Sequence, residues 1–151
     1  AKRPGAKGES VGSGITFNWV GLAVTDLDRS RRFYEELLGF EYERELVPPE
    51  EGASKICRVP SPANLKAVYL RRDGFVLELL HFDRPGNPPA RERPMNEPGF
   101  THLSVTVDDL AGVVSRTAGL GGTVLSETDT GQAICIRDPD GQVIELVSAR
   151  R

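Results

Sequence analysis

DGFVLEL at residues 73–79 returns as DGQVIEL at 140–146, with five of seven residues identical. A second pair of segments matches upstream. WVGLAVTDL (19–27) and HLSVTVDDL (102–110) share their apolar pattern and their closing Asp-Leu. The two matches fall at corresponding points of a repeated strand order, which marks an internal duplication. The offset is 83 residues at the first match and 67 at the second, so the first half is 16 residues longer. The proline-bearing stretch 48–64 absorbs the difference.

Working outward, each half reads strand, helix, strand, strand, strand. Residues 15–24 (ITFNWVGLAV) are rich in β-branched and aromatic types and predict a strand. Asp26 suits a helix N-cap, Leu27, Phe33, Tyr34, Leu37 and Leu38 recur at helical spacing, and Gly39 suits the position just past the helix. FEYERELV (40–47), LKAVYLR (65–71) and FVLELLHF (75–82) predict strands, the last two joined by an Asp73-Gly74 hairpin. Residues 48–64 read mostly as loop, with a short strand at 55–59. In the second half, strands are expected at 100–107, 123–126, 133–137 and 142–148, and a helix from Asp108 or Asp109 to about Gly119. The expected organisation is a flexible tail (1–14), a first βαβββ module (15–82), a Pro-rich linker with five prolines (83–98) and a second module (99–149). The fold class is α+β.

Composition narrows the function. The chain has 151 residues, 38% hydrophobic and 27% charged, which suits one folded domain. The net charge of −3 argues against a nucleic-acid partner. No apolar run approaches the ~18 residues of a membrane-spanning helix, and no secretory h-region is visible. Two cysteines, Cys57 and Cys135, do not make a disulfide framework. A cytoplasmic protein with no membrane or nucleic-acid partner is expected.

Strand alternation then groups the chemistry. Glu78 shares a face with Val76 and Leu80, Glu145 with Val143 and Val147, and His102 with Ser104 and Thr106. A carboxylate amid apolar neighbours needs a partner. If the two halves pack so that these strands meet around one hollow, Glu78, His102 and Glu145 converge. One imidazole and two carboxylates suit a divalent Mn, Fe, Co, Ni or Zn ion with open positions for substrate. Glu145 or Glu78 is then the candidate general base, and Ser104 lines the pocket. Trp19 stands where symmetry would put a further ligand, and its N–H cannot bind a metal. It is an apolar pocket wall, a stacking platform for an aromatic ligand, or core. Taken singly, His102 reads as a hydrogen-bonded spectator and either glutamate as a solvent-facing residue; the repeat is what joins them.

VGLAVTDLDRSRRFYEELLGFE (20–41), GFVLELL (74–80), FTHLSVTVDDL (100–110) and RDPDGQVIELV (137–147) resemble the vicinal oxygen chelate superfamily, the glyoxalase/bleomycin resistance protein/dioxygenase family. The resemblance covers about residues 15–149. It implies two βαβββ modules forming a cup-shaped mixed sheet, with ligands from the first and last strand of each module. Carried over, these are Trp19, Glu78, His102 and Glu145, with Trp19 replacing the usual His or Gln. The implied function is a metal-dependent lyase or isomerase acting next to a carbonyl, or a dioxygenase, on a small oxygenated substrate. The alternative is a metal-free protein that sequesters an aromatic or drug-like molecule. Family members often pair, so a homodimer is expected.

Overall fold

Each half of the chain builds a four-stranded mixed sheet. The computed structural model describes residues 14–149. The proposed tail lies almost wholly outside them. β1 (Val20–Ala23), β2 (Glu41–Leu46), β3 (Leu65–Arg72) and β4 (Phe75–Phe82) form the first sheet, in the order β1-β4-β3-β2. β5 (His102–Val107), β6 (Thr123–Leu125), β7 (Ala133–Arg137) and β8 (Val143–Ser148) repeat it as β5-β8-β7-β6. In both, the first strand runs parallel to the last, with Gly21 opposite Glu78 and Ser104 opposite Glu145. No helix or strand occurs in 83–98.

Local chemistry sets the boundaries. α1 (Leu27–Arg32) starts where the Asp26 carboxylate accepts the Arg29 N–H at 3.0 Å, and its last turn widens into a π-helical stretch over Phe33–Leu37. α3 (Leu110–Thr117) is capped by Asp109 on the Gly112 N–H at 2.9 Å. Asp73 and Gly74 both take positive φ (48° and 77°), as a two-residue hairpin requires.

Two expectations need correction. β1 begins at Val20; residues 15–19 carry no strand pairing. Residues 50–57 form a helix, α2 (Glu50–Cys57), where a loop and a short strand at 55–59 are expected. The four prolines of 48–64 lie outside that helix, so they bound it rather than forbid it. The Glu50 carboxylate, on its first turn, accepts the Ala63 and Asn64 N–H groups and closes the following loop.

One core serves both halves. Phe33, Tyr34 and Leu37 pack between Leu70, Leu77 and Leu79 of the first sheet and Ile134, Ile136, Ile144 and Leu146 of the second, and Val113 and Val114 of α3 join them. The helices therefore lie between the sheets. At the seam the buried Tyr34 hydroxyl donates to Asp138 Oδ2 at 2.7 Å, and Asp138 Oδ1 accepts the Asp140 and Gln142 N–H groups. Next to it Asp140 accepts from the Thr25 N–H at 3.0 Å.

Burial pushes the Asp138 carboxyl above its usual range, against the pull of Tyr34 and the two backbone donors. A raised folded value gives stability that is complete below the ordinary carboxylate range and is lost as pH rises through that folded value. Tyr34→Phe removes one of the stabilising donors. It should cost about 1–3 kcal/mol near neutrality, and less in acid below the ordinary carboxylate range, where Asp138 is protonated. Urea melts at the two pH values check this; an equal deficit at both would show that Asp138 is not the partner that matters.

Candidate functional site

The helix-bearing faces of the sheets are spent on the core, so the chemistry sits on the opposite faces. On the first sheet, Leu77 and Leu79 point to the core, and Val76, Glu78 and Leu80 to the other side. There Ala67, Tyr69, Val76 and Leu80 form a small cluster of their own. On the second sheet, Leu103, Val105, Ile144 and Leu146 face the core, which leaves His102, Ser104, Thr106 and Glu145 on the outer face.

The second face holds an ordered pair of donors. The Ser104 hydroxyl donates to Glu145 Oε1 at 2.7 Å across the parallel β5–β8 register. His102 lies one step along the same face. Its Nδ1 is 2.8 Å from the Thr101 hydroxyl. With Nδ1–H donating to that oxygen, Nε2 presents its lone pair outward. A hydrogen bond of this kind fixes the ring's orientation. Strand alternation alone makes this Ser104–Glu145–His102 grouping legible.

The first face carries Glu78 in a cross-strand row. Gly21 is beside it on β1; a Cβ there would stand 3.5 Å from Glu78 Oε1, so glycine leaves the carboxylate open on that side. Tyr69 is opposite Glu78 on β3, and Arg44 is opposite Tyr69 on β2. The buried Tyr69 hydroxyl is pushed up to about 12, first by burial and then by its hydrogen bond to Glu78 and that carboxylate's charge, with Arg44 pulling the other way. Tyr69 therefore stays protonated as a donor. Cys57, at the end of α2, is raised by burial and then by the charge of Glu78, which places the helix end beside this row. Trp19 packs edge-to-face on Tyr69, with ring centroids 5.1 Å apart, and is 40% exposed. It is thus an open wall of this face rather than core.

The expected convergence does not occur within one chain. Glu78 lies on the outer face of the first sheet, His102 and Glu145 on the outer face of the second, with the helices between. Among the described residues no three His, Cys, Asp or Glu side chains gather to hold a metal ion. One chain alone does not meet the donor requirement of such an ion; it presents two half-sets. Residue alternation shows which side chains share a face, but not that the helices of the two halves seek each other.

Tyr69 and Arg44 are not candidates in the sequence reading. A bulge between Tyr42 and Arg44 puts them on opposite faces of β2, although simple alternation gives them the same one. Arg44 thereby reaches Tyr69 instead of α1.

The family model described as the Glyoxalase/Bleomycin resistance protein/Dioxygenase superfamily matches residues 16–146. The chain is 29% identical over 153 residues to a lactoylglutathione lyase of Pseudomonas aeruginosa, covering 93% of this chain and 86% of that one. It is 30% identical over 140 residues to CFP32 of Mycobacterium tuberculosis, named as a glyoxylase; the match covers 90% of this chain, which spans only 46% of that relative's length. A glyoxalase family protein of Bacillus cereus has the same fold, with a TM-score of 0.74, 22% identity and coverage of 96% and 98% of the two chains. No described helix is long and apolar enough to cross a membrane. The chain belongs to the glyoxalase/bleomycin resistance protein/dioxygenase superfamily.

Proposed function

We propose that the protein is a divalent-metal-dependent enzyme of glyoxalase type, working as a homodimer whose complete site joins the first-sheet face of one copy to the second-sheet face of the other. The chemistry is that of a lyase or isomerase moving a proton next to a carbonyl of a small oxygenated substrate; a dioxygenase is the other outcome of the same site. The observation that carries this reading is the division of the donors. His102 and Glu145 stand together on one outward face, Glu78 on the other, and a second copy supplies what each lacks.

Features at the strand edges support pairing of copies. Among the described residues β1 and β5 each have one free edge. Just before them, Ile15, Phe17 and Phe100 are 84%, 72% and 87% exposed. Such apolar residues beside an unpaired strand suit an interface. The free thiols Cys57 and Cys135 suit a cytoplasmic setting.

His102, Glu145 and Glu78 would hold the metal. An Fe, Mn, Ni, Co or Zn ion held there would supply Lewis-acid polarisation of the substrate's oxygens. The chain's own residues do the rest. Glu145, held by Ser104, or Glu78, held by Tyr69, takes the proton from the carbon next to the carbonyl and returns it to a neighbouring carbon. Trp19 walls the site on its open side.

A second reading rests on Trp19. An exposed indole packed on Tyr69 also suits a metal-free site for an aromatic or drug-like ligand. Metal analysis after dialysis against each candidate ion, sedimentation, and an assay for lactoylglutathione formation distinguish the two. A dimer with one tightly held metal per chain is expected. A monomer that holds no metal and binds an aromatic ligand would overturn the enzyme reading in favour of the second.

A further inference from the structure

We propose that Arg44 is an anion-recognition residue of this site, holding a carboxylate or phospho group of the substrate by its guanidinium. The inference deepens the enzyme reading by giving the substrate a charge and a position, and it rests on that reading only for what happens to the anion after binding.

Arg44 lies on β2 between two glutamates, and both are already engaged. Glu43 accepts from Arg71 at 2.8 Å, and Glu45 pairs with Lys66 at 3.1 Å. Among the described residues no carboxylate is paired with Arg44. Its guanidinium is instead 3.8 Å from the centroid of Tyr69 and 5.8 Å from that of Trp19. Stacking on aromatic faces fixes the planar group; Tyr69 takes a hydrogen bond from it, and the five N–H donors of a guanidinium leave others for a ligand. Those donors match the two oxygens of a carboxylate or phospho group. A hollow of about 240 Å³ opens beside Arg44 and Tyr69 toward the β3–β4 hairpin, lined also by Trp19, Arg71, Val76 and the Arg71-paired Glu43.

The row also sets direction. Glu78, Tyr69 and Arg44 are successive cross-strand neighbours, so Arg44 is two strands from Glu78, roughly 9–10 Å at ordinary strand spacing. Tyr69 stands between them and keeps the guanidinium from collapsing onto the carboxylate. A substrate held by its anionic end at Arg44 must span that distance for its reacting carbon to reach Glu78. That is the order a proton-abstracting site needs, with the substrate's charge at one end and the acid–base group at the other.

Trp19 is the chain's only tryptophan, so its fluorescence reports on this face. The test titrates the full chain with acetate, malonate, phosphate and methylphosphonate at constant ionic strength, with chloride as the control salt. Wild-type emission should change saturably with at least one oxyanion class. The carboxylate and phospho arms show which class it is. Arg44→Gln should weaken that affinity about tenfold or more, the loss of a hydrogen bond to a charged group. Arg44→Lys should keep part of it. Thermal melts and metal content of each variant are recorded alongside.

Equal affinity in wild type and Arg44→Gln, or no saturable response to any oxyanion in the folded wild type, would overturn the proposal. Oxyanion binding in a chain that holds no metal would uphold Arg44 while removing the metal-enzyme reading. A metal-loaded chain blind to oxyanions would do the reverse.

Discussion

His102→Ala is expected to leave the fold intact and to abolish tight metal binding. The side chain is exposed on an edge strand and contributes nothing to the shared core, so its loss should move the melting temperature little. The donor set is small, however. Removing even an outer partner of a metal-ligating residue typically weakens metal affinity by about 10–100-fold, and loss of a ligand itself should exceed about a hundredfold. Glu145→Gln should hold metal poorly as well and lower turnover by about 10²–10⁴-fold if Glu145 is the base. Ser104→Ala, which strips the 2.7 Å donor from Glu145, should fall between these variants and wild type. Metal content by elemental analysis and turnover of the loaded proteins check the series. Full metal occupancy in His102→Ala would remove His102 from the ligand set.

Phe33→Ala should have the largest effect on stability. Phe33 is fully buried in the π-helical turn, edge-to-face on Tyr34 at 5.2 Å, in the core shared by both sheets. Its ring also fills the space left by Gly122 of the second half, where an added Cβ would come within 2.7 Å of Phe33 Cε2 and 2.6 Å of the Arg137 carbonyl oxygen. The side chain thus ties the modules together. Truncation of a buried Phe costs about 3–5 kcal/mol, a large part of the 5–15 kcal/mol that holds an ordinary domain. Denaturant melts should show one transition shifted for the whole chain. A loss confined to one sheet would mean that the two modules have separate cores.

The sequence carries the fold further than it carries the site. The repeated DG-x-V-x-E-L segments and the Asp26 and Asp109 caps are local signals, and the strands and helices they announce are present. α2 is hidden by the prolines around it. The helix is short and its stabilising contacts are made elsewhere, by Ala53 in the interior and by Glu50 on the 63–64 backbone. The site is harder for a different reason. Period-two alternation places Glu78, Glu145, His102 and Ser104 on their faces correctly, but the direction in which whole faces turn is a tertiary choice made by Phe33, Tyr34 and Val113 in the core. The Arg44–Tyr69 contact depends on one bulge, which reverses the alternation of β2 and leaves no mark in the residue types.

Whether the site is shared between copies is settled by mixing two lesions. Glu78→Ala and His102→Ala chains should each fail to hold metal alone. Unfolded, mixed in equal amounts and refolded together, they should form mixed dimers in which one of the two sites carries both lesions and the other carries neither. About a quarter of wild-type metal binding should therefore return, as a two-fold symmetric dimer with random pairing requires. No recovery, with mixed dimers confirmed by mass, would contradict a site built between two copies.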